Sequence, residues 1–225
     1  YMVGAKLEGF DVMGKISDAK YMVLEGDEYL SSPMDLRPKF HLYKPNIAII
    51  NGIAWDHINV FPTFDIYVEQ FKIFADKIEQ NGSLVYFQDD KNIVNIAKGV
   101  RKDIKTFPYR ELDQELVKKY PLKIFGKHNL INLSAAMTAL EQIGVKKDDF
   151  LKAIQSFKGA SKRLELIAES PTQAFYTDFA HSPSKLKATV EAMKNQFTNR
   201  KLTAVMELHT FSSLTKEFLS QYKGC

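Results

Sequence analysis

Cysteine is almost absent from this chain of 225 residues: Cys225 is the only one. One thiol forms no internal disulfide and no cysteine-based zinc site. No apolar run approaches the ~20 residues that span a bilayer. No leader-like segment opens the chain at Tyr1. There is no basic stripe of the kind that tracks a nucleic-acid backbone. Lys72, Lys77, Lys91, Lys98, Arg101 and Lys102 are scattered, and the formal net charge is only +4. Repeats and low-complexity tracts are missing too. These absences argue against a disulfide scaffold, a membrane partner and a nucleic-acid partner. They favour a soluble protein in a reducing, cytoplasmic setting.

What is present is ordinary globular composition, 45% hydrophobic and 26% charged, in a chain long enough to bury a core. Apolar runs over residues 21–24, Ile47–Ile50 and Ser83–Phe87 each end in polar or glycine punctuation. Such runs suit strands buried on both faces of a parallel sheet. Between and after them, helical spacing covers residues 64–79, 90–99, 129–143 and 148–157. Gly144 is placed as a C-cap. The alternation predicts an α/β fold with a mostly parallel central sheet. Gly159-Ala160-Ser161 reads as a small-residue hinge. It divides a first domain, 1–158, from a second, 159–225. In the second, strands are expected at 164–167, 174–178 and 202–208, and helices at 184–197 and 215–222.

Four clusters carry ligand-type chemistry. Glu25-Gly26-Asp27-Glu28 follows the first apolar run, and ligand sites in open α/β sheets lie at the carboxyl ends of strands. Its carboxylates suit Mg²⁺, although taken alone the cluster reads more readily as a solvated acidic loop. Asn51-Gly52-Ile53-Ala54-Trp55-Asp56-His57 follows the second run. There a neutral His57 can ligate a metal with Asp56 orienting it, or the histidine simply caps a turn. Gly126-Lys127-His128-Asn129 opens a helix, with Asn132 on the face of Asn129. Two amides there can read a purine edge, although an Asn N-cap on an alanine-rich core helix explains part of the cluster. Lys162-Arg163 and Asp178-Phe179-Ala180-His181-Ser182-Pro183 flank the hinge. Arg163 can grip a phosphate bidentately, and Ser182-Pro183 signals a helix start. A fifth, weaker cluster is His209-Thr210-Phe211-Ser212-Ser213.

Taken in order, these motifs resemble the Mur ligases, ATP-dependent amide-forming enzymes of peptidoglycan synthesis, over nearly the whole chain. The resemblance implies the fold of a Mur-ligase ATPase domain followed by the start of a Rossmann-like C-terminal domain. It implies ATP and Mg²⁺, and a reaction through an acyl phosphate. Glu25 would bind Mg²⁺, and His57 would sit at a second metal. Asn51 would line the phosphate site, while His128, Asn129 and Asn132 would surround adenine. Arg163 would contact phosphates, Asp178 the ribose, and His181 would face the substrate side of the cleft. Residues 24–43 most resemble the branch that joins UDP-N-acetylmuramate to L-Ala-γ-D-Glu-meso-diaminopimelate. The branch that adds L-alanine is next. Two other readings stand beside these: a non-catalytic α/β binding module and a folate-polyglutamate ligase.

Departures from the pattern matter. Several Mur ligases carry a carbamylated lysine on the helix after the Asp-His loop, where this chain has Phe71 followed by Lys72. No Gly-x-x-Gly-Lys-Thr/Ser phosphate loop occurs in these 225 residues. The expectation is a piece of a longer enzyme. The purified chain alone should bind ATP weakly at best and release no phosphate in a ligation assay. Measurable turnover would contradict that reading.

Overall fold

The computed structural model describes residues 1–208, 214 and 216–225, leaving aside the side chains of residues 217 and 218. Its centre is a parallel three-stranded sheet in the order β1 (Ile47–Ile50), β2 (Ser83–Phe87), β3 (Lys105–Tyr109). Parallel neighbours need a crossover, and α1 (Phe64–Asp76) and α2 (Lys91–Gly99) supply the two here. Each helix begins where the sequence provides an acceptor. Thr63 accepts the Ile66 N–H at 3.3 Å, and Asp90 accepts those of Asn92 and Ile93 at 2.8 and 3.4 Å.

Alternation along the strands splits the core. Ala48, Ile50 and Leu84 face Phe71, Phe74 and Ala75 of α1 and Ile93 and Ile96 of α2. Val85 and Tyr109 point the other way, to Ile131, Ala135 and Ala139 of α4 (Lys127–Glu141). Covering both faces is the condition under which apolar runs form parallel strands. A second cluster joins Leu130, Leu133 and Met137 of α4 to Tyr120, just after α3 (Gln114–Lys119), and to Phe150 and Leu151 of α5 (Lys147–Ile154). Strand β3 escapes the apolar-run criterion because Pro108 and a polar start interrupt it. Proline is tolerated there because β3 is an edge strand, pairing only with β2 among the described residues.

Beyond α5 lies an antiparallel pair, β4 (Glu165–Glu169) and β5 (Ala174–Thr177), with a register shift between Leu166 and Ala168. Next come α6 (Pro183–Gln196), opened by Pro183, and a short α7 (Lys216–Leu219) running into a 3₁₀ turn. Helix α6 docks where α4 starts. Gly126 has φ +90°, and a Cβ on it would stand 2.6 Å from that of buried Ala192. Among the described residues, no helix is long and apolar enough to cross a membrane.

Two expected strands do not form. Residues 21–24 make a single bridge, Leu24 to Met2, and their side chains are 40–62% exposed. Residues 202–208 have no regular structure, and Val205 is 97% exposed. A strand exists only with a hydrogen-bonded neighbour, and an apolar run with no ladder to join stays irregular. Residues 209–213, the fifth cluster, lie outside the described residues. Phe71 is a core residue, ringed by Phe40 and Tyr67 at 5.5 and 5.1 Å, while Lys72 sits at the surface beside Glu69.

Leu84 is fully buried in the central strand. Leu84→Ala should cost about 2–5 kcal/mol by urea unfolding. Ile16→Ala, at a side chain 91% exposed, should stay within about 0.5 kcal/mol. Equal effects would show that the core is not where the sheet places it.

Candidate active site

The candidate site lies where β1 ends. Past Ile50 the chain is pinned from two sides. Ile53 donates its N–H to Asp90 after β2, at 3.2 Å, and Trp55 donates its indole N–H to the Phe61 carbonyl at 2.9 Å. Between these anchors His57 adopts φ +54°, a left-handed conformation costly for a residue with a side chain. Three hydrogen bonds hold it. Val60 and Phe61 donate to its carbonyl at 2.8 and 2.9 Å, and its own N–H goes to Asp56 Oδ1 at 2.8 Å.

The turn aims the imidazole at Glu28, with His57 Nε2 3.5 Å from Oε1. Tyr67 of α1 donates its hydroxyl to the same oxygen at 3.3 Å, and the Tyr29 ring lies 4.8 Å from the imidazole centroid. The Glu28 carboxylate beside the ring raises the His57 pKa, against the opposing effect of burial. Burial pushes Glu28 upward, but the neighbouring His57 imidazole and a backbone hydrogen bond outweigh it and leave the carboxyl below its ordinary value. Tyr67 is pushed far above the usual phenol range, first by burial and then by the charges of Glu28 and Asp56. It therefore stays a donor.

Asp56 is 7% exposed. Lys185 of α6 reaches its Oδ2 at 3.2 Å, and His181 Nε2 stands 3.8 Å from the same atom. Burial opposes the charge on Asp56. His181, Lys185 and the His57 N–H hold the carboxyl well below its normal range despite that.

The other sequence-selected residues fall around this centre or apart from it. Asn51 and Asn132 meet, amide to amide, at 3.0 Å, joining the end of β1 to α4. Asn129 donates to the Phe125 carbonyl at 2.8 Å. His128 buries an Nδ1 that has no hydrogen-bond partner among the described residues, and burial lowers its pKa against the charge of Asp178. Asp178 accepts the N–H groups of Leu164 and Ala180, both at 2.7 Å, and the Thr189 hydroxyl at 3.2 Å. Arg163 lies over the Phe179 ring, 5.4 Å from its centroid. The carboxylate of Glu25 accepts the N–H of Gly4, and it is Glu28, three residues on, that meets His57.

A family model for the Mur ligase middle domain matches residues 10–140. This chain belongs to the Mur ligase family. Among relatives of this Mur ligase chain, the UDP-N-acetylmuramate–L-alanine ligase of Caldicellulosiruptor bescii is 31% identical over 243 residues. That match covers 98% of this chain and 51% of the relative. The UDP-N-acetylmuramate–L-alanyl-γ-D-glutamyl-meso-2,6-diaminoheptandioate ligase of Haemophilus influenzae is 28% identical over 214 residues, covering 87% and 47%. The chain thus spans about half the length of the curated relatives it matches. In fold it is similar to the murein peptide ligase of Psychrobacter arcticus, with a TM-score of 0.60 at 23% identity over 88% of this chain and 48% of that one. The L-alanine ligase of Thermotoga maritima gives 0.54 at 20% identity over 71% and 40%.

Residue selection from the sequence passed over Glu28, Tyr67 and Lys185. Glu28 stood within the acidic cluster, but nothing along the chain separates it from Glu25. Tyr67 carries the helical apolar spacing of a core residue, and its hydroxyl gives no sequence signal. Lys185 is one of many lysines. Among the described residues, no group of three or more His, Cys, Asp or Glu can hold a metal ion. Glu28 with His57 is a two-donor set. It fits Mg²⁺ to the extent that this ion takes one or two carboxylates and completes its shell with substrate phosphates and water.

The two shifted groups set a pH window. A raised histidine pKa contributes stability fully below about 6.5, lost as pH rises through the higher folded value. A lowered Glu28 contributes above about 4.3, lost as pH falls. Glu28→Gln should therefore bring the His57 pKa down, because the largest raising influence is gone while burial still opposes the charged ring. A proton NMR titration of His57 measures this, and an unchanged value would remove Glu28 as its partner.

Proposed function

We propose that this chain is the central part of a cytoplasmic, ATP-dependent amide ligase of peptidoglycan synthesis or recycling. It would join UDP-N-acetylmuramate to L-Ala-γ-D-Glu-meso-diaminopimelate. What carries the reading is family membership together with the Glu28–His57–Asp56 cluster, set at the strand ends beside the Asn51–Asn132 contact. In the proposed reaction the γ-phosphoryl group of ATP passes to the UDP-N-acetylmuramate carboxylate, giving an acyl phosphate and ADP. The incoming amine attacks the acyl carbon, loses a proton, and inorganic phosphate leaves. Positioning and charge stabilisation do most of such work.

Mg²⁺, when bound, would neutralise phosphate charge, with His57 and a carboxylate of the Glu25–Glu28 loop as its protein donors. Asn51 and Arg163 would face phosphates. His128, Asn129 and Asn132 would surround the adenine, which gives the unpartnered His128 Nδ1 a role. Asp178 would take the ribose. A carboxylate offers about four acceptor sites. Leu164, Ala180 and Thr189 use three of them in Asp178, so one is left for a hydroxyl. His181 would stand on the substrate side. We also take 1–158 as the ATP-binding unit and 159–225 as the start of a second. Three left-handed residues, Gly159, Lys162 and Leu164, make the joint between them.

The tripeptide is preferred as amine substrate because of residues 24–43, with the Haemophilus relative in support. L-Alanine is the second reading, favoured by the Caldicellulosiruptor relative. Phosphate release by the intact enzyme, dependent on ATP and UDP-N-acetylmuramate, should appear with the tripeptide and not with L-alanine. His57→Ala should cut it by about 10²-fold or more with the fold intact. Activity with L-alanine alone would select the second reading. Near-normal turnover of the variant would remove His57 from the site.

A further inference from the structure

Asp56 links two regions far apart in the chain. One oxygen fixes the His57 N–H at 2.8 Å, and the other meets the ammonium of Lys185, 129 positions later, at 3.2 Å. The carboxylate is buried, whereas the Lys185 side chain is 48% exposed. The lysine is therefore the replaceable end of the pair and the aspartate the committed end. On the far side of the turn, His57 holds a left-handed backbone and points its ring at Glu28, 3.5 Å away. A strained residue keeps its conformation only while its surroundings over-determine it. Asp56 is one of those constraints, and the Lys185 ammonium in turn fixes the second oxygen of Asp56.

We propose that Lys185 is a positioning residue that acts through Asp56 to hold the His57 imidazole against Glu28, so that docking of α6 sets the geometry of the candidate active site. Its catalytic consequence rests on the ligase reading, but its structural content does not. His181 also faces Asp56, at 3.8 Å from the same oxygen, but its Nδ1 lies 3.0 Å from the Phe179 carbonyl. Lys185 makes the shorter contact.

The test compares Lys185→Met, which removes the charge, with Lys185→Arg, which keeps it, in the full 225-residue chain at one fixed pH. The readout is the imidazole ¹⁵N resonances of His57, assigned with His57→Gln. The methionine variant should shift them and the arginine variant restore them, with both chains melting cooperatively. Should the methionine variant not fold, Lys185→Gln replaces it and should shift the resonances likewise. Unchanged His57 resonances in a folded, uncharged variant would overturn the proposal. Equal shifts in the arginine and methionine variants would also overturn it, because they would point to packing rather than to the cation. In the intact ligase, Lys185→Met should lower kcat by about 10-fold or more with KM for ATP near wild type, and Lys185→Arg should recover most of it. If the intact wild-type enzyme performs no ATP-dependent ligation, the functional reading fails while the His57 resonances still decide this one.

Discussion

A parallel strand cannot fold straight back onto its neighbour. Each pair must be joined by a crossover, and both faces of the sheet must be covered. Most of this structure follows from that constraint. Helices α1 and α2 cover one face and α4 the other, with Leu84 and Val85 buried on opposite sides of the same strand. All three strands then end at one rim, and the loops that leave it are tied together there. Ile53 after β1 is held by Asp90 after β2, and Asn51 is held by Asn132 on the covering helix. The candidate site occupies this rim because the rim is where backbone leaves the ladder and side chains become available for chemistry.

Charge inside the rim is balanced pair by pair. Burial opposes the charge on Glu28, Asp56 and His57, yet the two carboxyls are held low and the imidazole high. At an effective dielectric near 20, unit charges 3.2–3.5 Å apart attract by about 5 kcal/mol, and less where a partner such as Lys185 is half exposed. Desolvation costs several kcal/mol per ion. The two nearly cancel, so such pairs add little net stability. Removing one member is another matter, because it strands the other in a place it cannot occupy alone. That asymmetry ties the members of the cluster to one another around the strained turn. It also ties the turn to α6, which enters the molecule through the small-residue contact of Gly126 with Ala192.

Legibility in the sequence was uneven for physical reasons. Strands β1 and β2 announce themselves because continuous apolar runs have few other uses, and α1, α2 and α4 because a 3.6-residue period has one geometric meaning. Residues 21–24 are just as apolar but form no strand, since among the described residues their only ladder contact is the single bridge to Met2. Strand β3 carries a proline that disguises it. In the site, His57 and Asp56 were readable as ligand-type residues from their place after an apolar run, whereas the contact of Asp56 with the His57 backbone N–H was not. Nor was the choice between Glu25 and Glu28 as its carboxylate neighbour. It depends on which residue of an irregular loop turns inward, and neither periodicity nor composition records that.

Residue order along the chain was enough for the alternating α/β plan, the helical stretches 64–79 and 90–99, the helix start at Ser182-Pro183, and the positions of the polar clusters after each apolar run. These are local matters, set within a few residues by backbone sterics, capping and hydrophobic spacing. Which clusters meet was settled in three dimensions. Glu28 with His57, Asn51 with Asn132, and Asp56 with Lys185 are separated by 29, 81 and 129 positions. Contacts over such distances exist only after the sheet, its covering helices and the docking of α6 have placed the backbone, because the side chains themselves are too common in type to identify one another.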